Sequence, residues 1–270
     1  MSDPGQSLLP PSALARIQAS TAAAGRKPLF TSDLSVDEFA LVRDAGFEPV
    51  GLVAGNSVYH VGLQPQQWNV SQELTVLTQA MYTAREYALA RMMAETEALG
   101  ADGVIGLDLI SSPVGGEGMM DFRFIGTAVR STRGGNWRTP SGRPFSSELS
   151  GRDFWTLLQI GYAPVAWVFG TCVYHVAHQS FRQMMKQMGQ NTELPQFTQA
   201  YYDARELAMA RLQAEAERDQ ADGVVGVTTY ESQHLWGEHA IEFACFGTAV
   251  RAIDPAANPP KPTFVMPMNG

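Results

Sequence analysis

Two sets of side chains in this sequence have types and spacings that can do chemistry. Cys172, His175, His178, His234, His239 and Cys245 are thiols and imidazoles, a donor set that suits zinc or copper. From it Cys172, His175 and Cys245 are the candidate metal ligands, and a divalent transition metal is the cofactor they would take. Their spacing is not diagnostic. Cys172 and His175 lie three apart on an expected strand and so face opposite sides, and there is no Cys-x-x-Cys pair. The second set is the run YTAREYALARM from Tyr82, which returns as YDARELAMARL from Tyr202. Tyr82, Arg85, Glu86 and Arg91 recur as Tyr202, Arg205, Glu206 and Arg211. This pattern serves either a solvated helix face or paired contacts where domains or subunits meet, so these eight are the candidate interface residues. A catalytic carboxylate at Glu86 or Glu206 would need a nucleophile or second acid, and the sequence supplies none beside them. No catalytic residue is assigned and the chain reads as non-enzymatic.

The elements that position these side chains are duplicated. FTSDLSVDEFALVRDAGFEPVGLVAGNSVYHV from Phe30 aligns with FSSELSGRDFWTLLQIGYAPVAWVFGTCVYHV from Phe145, and GTAVR at Gly126 returns at Gly247. The offset grows between these points, which places small insertions in loops. Copy one offers Ser57 where copy two has Cys172, and Phe124 where it has Cys245; His60 and His175 are the shared histidine. Each copy opens with a short helix: Ser35 with Glu38 forms a capping box, Ser150 with Asp153 repeats the motif, and Gly46 and Gly161 close. A β-branched run follows, read as a strand interrupted by Gly55 or Gly170. Then come a long helix (74–99 or 195–219), a turn holding Asp102 or Asp222, and two strands with internal glycines. Ala80, Ala84 and Ala88 recur at spacing four and make a small-residue ridge for close packing.

The expected fold class is α+β: two tandem β-α-β-β domains, each a small antiparallel sheet covered by one long helix and preceded by a short helix. The domains span residues 30–130 and 145–251. Residues 1–29 form an N-terminal tail with a short helix after Ser12, 131–144 a linker rich in Gly, Pro and Arg, and 252–270 a Pro-rich tail ending in FVMPMNG that offers a docking peptide for a protein partner.

A formal net charge of -8 argues against a nucleic-acid partner. The longest apolar segment, Pro164 to Ala177, is too short for a bilayer, which takes roughly 20 residues, so no membrane partner is expected. The N-terminus lacks a secretory pattern, and two cysteines build no disulfide framework; both fit the cytoplasm.

The residues AREYALARMMAETEALGADGVIGLDL and ARELAMARLQAEAERDQADGVVGVTT, each followed by GTAVR, resemble the YbjQ-like family, labelled heavy-metal-binding. The resemblance covers about Phe47 to Arg130 and Tyr162 to Arg251. It implies a β-α-β-β fold that assembles into pentameric rings, with no established reaction. A glycine-rich family segment between first strand and helix is replaced here, and Gln220 stands where copy one has Gly100. With two domains per chain, five chains are expected to give two stacked five-domain rings, one per copy.

Overall fold

The structure is a computed structural model; it describes residues 8–21, 29–60, 70–114, 119–177, 193–234, 237–254 and 257. Chain order is α1 (Pro11–Thr21), α2 (Val36–Asp44), β1 (Phe47–His60), β2 (Gln72–Glu73), α3 (Thr75–Ala98), β3 (Gly103–Pro113), β4 (Met119–Ser131), β5 (Phe145–Ser146), α4 (Gly151–Gln159), β6 (Tyr162–His175), α5 (Pro195–Arg218), β7 (Gly223–His234) and β8 (Gly237–Ala252). The fold is α+β with two repeated units. Among the described residues no helix is long and apolar enough to cross a membrane.

Each unit is a three-stranded sheet in which the last strand lies antiparallel between the first two, with its long helix crossing between those two and laid across one face. β4 lies between β1 and β3, and β8 between β6 and β7. The strands expected to break at Gly55 and Gly170 run through both glycines. A Cβ at Gly55 would overlap the Ala88 carbonyl, and one at Gly170 the Ala208 carbonyl. The glycines and the alanine ridge (Ala84 and Ala88, Ala204 and Ala208, all fully buried) are two sides of one close approach. Irregularity sits away from these two glycines: β1 and β6 shift register after Pro49 and Pro164, and β3 and β7 around Gly106 and Gly226, which adopt φ of 62° and 68°.

The short helices α2 and α4 start as expected, whereas α1 starts at Pro11 and takes Ser12 into the helix instead of using it as its cap. Ser35 and Glu38 complete a capping box, and Ser150 accepts from the Asp153 amide. Asp102 and Asp222 tie the turn after each long helix to the end of the central strand, accepting from Ser131 N at 2.8 Å and Ala252 N at 2.7 Å.

The fourth strand of each sheet comes from the other copy. β2 of copy one pairs antiparallel with β6, and β5 of copy two pairs parallel with β3. The copies are therefore clasped by reciprocal exchange of edge strands.

Candidate assembly joint

Strand β6 has a free edge, and an uncapped row of backbone groups on such an edge invites pairing. Copy one covers it first with strand and then with helix side chains. Gln72 and Glu73 pair with His175 and Tyr174, and Leu74 N donates to Val173 O at 2.8 Å. From there α3 runs along the edge. Thr78 Oγ1 accepts from Val173 N at 3.0 Å. One turn on, the Tyr82 hydroxyl donates to Phe169 O at 3.3 Å and accepts from Thr171 N at 3.4 Å, while its ring stacks on Phe169 at 4.6 Å. The spacing of four keeps Thr78 and Tyr82 on one face, so two helix side chains replace the ladder a further strand would have supplied.

One turn further, Arg85 Nη2 donates to Glu242 Oε1 at 2.8 Å, with the two side chains 4% and 1% exposed. The guanidinium also lies over the rings of Phe122 and Phe169. A charge pair removed from water this completely holds only if both partners are present. Arg211 closes the edge from the copy-two side, donating to Thr171 O at 2.8 Å and to Glu73 Oε2 at 3.0 Å.

Copy two reciprocates. Phe145 N donates to Asp102 O at 3.0 Å and Ser147 N to Val104 O at 2.9 Å, with the Phe145 ring placed over Gly103. Beside this seam Gly151 N donates to Glu38 Oε1 at 3.2 Å and Trp155 Nε1 to Asp44 Oδ2 at 2.8 Å, joining α4 to α2.

The interface candidates are therefore not equivalent. Tyr82, Arg85 and Arg211 stand in the joint. Glu86 is exposed and lines a crevice of about 410 Å³ between α3 and the start of β6. Arg91 donates to Asn56 O on β1. Tyr202 is 47% exposed, and Arg205 lies over its ring and donates to the adjacent, exposed Glu206.

The metal candidates are divided between surfaces. Cys172 and Cys245 face α5 and pack with Ala204 and Ala208, whereas Val173, two residues from His175 and hence on its side of the strand, packs in the joint. Burial pushes the Cys172 thiol up to about 12, with Glu73 adding to the shift, and Cys245 up to about 11, so neither is poised as a thiolate. Among the described residues no three His, Cys, Asp or Glu side chains are grouped to hold a metal. His178 and the side chains of His234 and His239 lie outside the described residues, as does the C-terminal tail from 258 onward.

Thr78, Glu73, Glu242 and Glu215 escaped sequence reasoning. Glu215 Oε2 accepts from Phe169 N at 3.0 Å, and burial raises its carboxyl to about 7. A signal existed, because Thr78 and Glu73 recur as Thr198 and Glu193, and Glu242 stands where copy one has Asp121.

Comparison with known proteins agrees with this architecture. The YbjQ_1 family, described as "Putative heavy-metal-binding", matches residues 51–132 and 163–253. The chain belongs to the YbjQ-like family. It does so as a tandem duplication. The chain is 53% identical over 242 residues, 89% of its length and 92% of the relative, to the encapsulin nanocompartment protein Rv1762c of Mycobacterium tuberculosis. It is also 44% identical over 59 residues to a UPF0145 protein of Methanococcus maripaludis, covering 22% of the chain and 51% of that protein. A UPF0145 protein of Halorubrum lacusprofundi is 42% identical over 88 residues, 31% of the chain and 84% of that protein. The shorter matches cover one part of a chain that carries the YbjQ-like domain twice.

Proposed function

We propose that this chain is a non-enzymatic, self-assembling protein, a two-domain building block of a homo-oligomeric scaffold. The observation that carries the reading is the joint itself: the most deeply buried ion pair among the described residues, Arg85 with Glu242, joins one YbjQ-like domain to the other. A domain of this kind binds its like through a built, desolvated surface. The relative named for a nanocompartment supports the reading, since the similarity extends over nearly all of that protein.

In its finer form the assembly contains five chains, acts in the cytoplasm, and binds a small ligand; the crevice beside Glu86, with Arg143, Glu215 and Arg218 in its wall, is the place for one. Native mass spectrometry of untagged protein tests both levels. A multiple of the 29.4 kDa chain is expected, and five copies for the finer form. A monomer at micromolar concentration overturns the proposal. Metal analysis of the same sample weighs the metal-buffering alternative, which requires stoichiometric metal that is lost in Cys172→Ser with His175→Ala.

A further inference from the structure

The seam between β5 and β3 is made once in the chain, although the duplication supplies its parts twice. Where it is made, Phe145 N donates to Asp102 O at 3.0 Å and Ser147 N to Val104 O at 2.9 Å. In return Leu107 N donates to Ser147 O at 3.0 Å and Gly106 N to Leu149 O at 2.9 Å. The side chains around these bonds are sealed: the Phe145 ring covers Gly103 and stacks on Phe154, while Val104, Ile105 and Leu107 are buried.

The counterparts of both sides are present and lie apart. Residues Phe30 to Leu34 sit on copy one as Phe145 to Leu149 sit on copy two. Thr31 Oγ1 accepts from Leu52 N as Ser146 Oγ does from Trp167 N, and Asp33 N donates to Thr127 Oγ1 as Glu148 N does to Thr248 Oγ1. Phe30 stacks on Phe39 as Phe145 does on Phe154. On the other side, Asp222 N donates to Val250 O as Asp102 N does to Val129 O, so the Asp222 and Val224 carbonyls point away from β8 as those of Asp102 and Val104 point away from β4. Gly226 repeats the left-handed backbone of Gly106. Among the described residues no strand covers this edge of β7. Val227 is 42% exposed where Leu107 is 4%, Phe30 is 38% exposed where Phe145 is fully buried, and nothing lies within 4 Å of a Cβ at Gly223. An open strand edge with apolar side chains beside it is a template for a further strand.

We propose that Phe30 to Leu34 of a second copy of this chain add to β7 as a parallel edge strand. Phe30 N then donates to Asp222 O, Ser32 N to Val224 O, Val227 N to Ser32 O and Gly226 N to Leu34 O, with the Phe30 ring over Gly223. This addition rests on the self-assembly reading above and assigns one of its contacts. It departs from the closed seam at one point: Val36 stands where Gly151 lets α4 approach Glu38, so α2 and α4 of neighbouring chains stand farther apart. Unlike surfaces meet, so the contact is heterologous and joins copy two of one chain to copy one of the next.

The test places a side chain where the incoming ring must lie. Gly223→Val meets nothing within its own chain, so circular dichroism should show an unchanged fold, while native mass spectrometry should show the oligomer-to-monomer midpoint raised at least tenfold. Separately, Phe30→Cys with Gly223→Cys, in the register that pairs Phe145 with Gly103, is expected to give a ladder of inter-chain disulfides on oxidation that dithiothreitol removes and that neither single cysteine gives. The native Cys172 and Cys245 are fully buried and stay out of that reaction. Wild-type protein that is monomeric overturns the self-assembly reading. Wild-type oligomer that Gly223→Val leaves unchanged, with no disulfide ladder in the double variant, overturns this contact alone.

Discussion

Helices α3 and α5 have nearly the same polar residues at the same positions and live in different surroundings. Along α3 the face bearing Thr78, Tyr82 and Arg85 is sealed against copy two, and Arg85 ends on a buried carboxylate. Along α5 Tyr202 and Arg205 are exposed among the described residues, and Arg205 folds back onto its neighbour Glu206. The first glutamate of the aligned pair Glu95 and Glu215 likewise accepts Arg16 from α1 at 2.8 Å, while the second sits in the crevice with its carboxyl raised to about 7. Duplicated sequence thus gives one closed and one open version of a single surface, and energetics follow the surroundings rather than the residue type.

The largest effect should come from breaking the closed version. Glu242→Leu leaves the Arg85 guanidinium buried without its carboxylate, which should cost about 3–5 kcal/mol in denaturant unfolding. Arg85→Met combined with Glu242→Leu should recover more than half of that loss, because two apolar side chains need no partner. Arg205→Met, at the equivalent open position, should change the unfolding of dissociated protein by less than about 0.5 kcal/mol. Equal losses at Arg85 and Arg205 would erase the distinction between the two helices.

The next effect is read as a pH profile. Burial is the main reason the Glu215 carboxyl stands at about 7 against an ordinary 4.5; nearby Glu86 and Asp219 push the same way and Arg218 opposes. The folded chain keeps this proton where the unfolded chain has lost it. Stability therefore falls as pH rises from about 4.5 to about 7 and is flat above. At 1.36 kcal/mol per unit the decline from this one group is on the order of 3 kcal/mol. Glu215→Gln should remove it, so the variant gains on wild type above pH 7. Glu95→Gln loses only a pair with the half-exposed Arg16, so a change of about 1 kcal/mol or less is expected. Burial likewise brings Glu148 to about 7, so the Glu215 variant should retain a shallower slope rather than none.

The order of elements, the α+β class and the repeat were legible because they rest on local patterns: caps at Ser35 and Ser150, an alanine ridge, turn aspartates and alternating strands. What the sequence concealed was non-local. Gly55 reads as a strand breaker in its own segment, and only the Ala88 carbonyl across the gap explains it as a point of contact. The Arg85–Glu242 pair spans 157 residues, and nothing near either residue announces the other. Two-residue strands such as β2 and β5 carry no periodicity, so the exchange that clasps the copies could not be read. Cys172 and His175 showed the reverse problem: residue types promised a site, and strand alternation separates them.

The smallest contrast concerns the end of each long helix. Gly100 follows α3 with φ of 65°, and Gln220 follows α5 with φ of 56°, so both copies end their helix by turning through the left-handed region. Glycine adopts it freely, whereas a residue with a Cβ is crowded there at a cost of roughly 1–2 kcal/mol. The backbone bonds that fix the turn are the same, since Ala101 N donates to Thr96 O and Ala221 N to Ala216 O. Gln220→Gly should therefore raise stability by about 1 kcal/mol, offset in part by the greater freedom of glycine in the unfolded chain. Gly100→Ala should lower it by a similar amount, with no change in assembly mass for either. A loss of stability in Gln220→Gly would mean that its side chain contributes more than its backbone costs, and the two helix ends would no longer be versions of one turn.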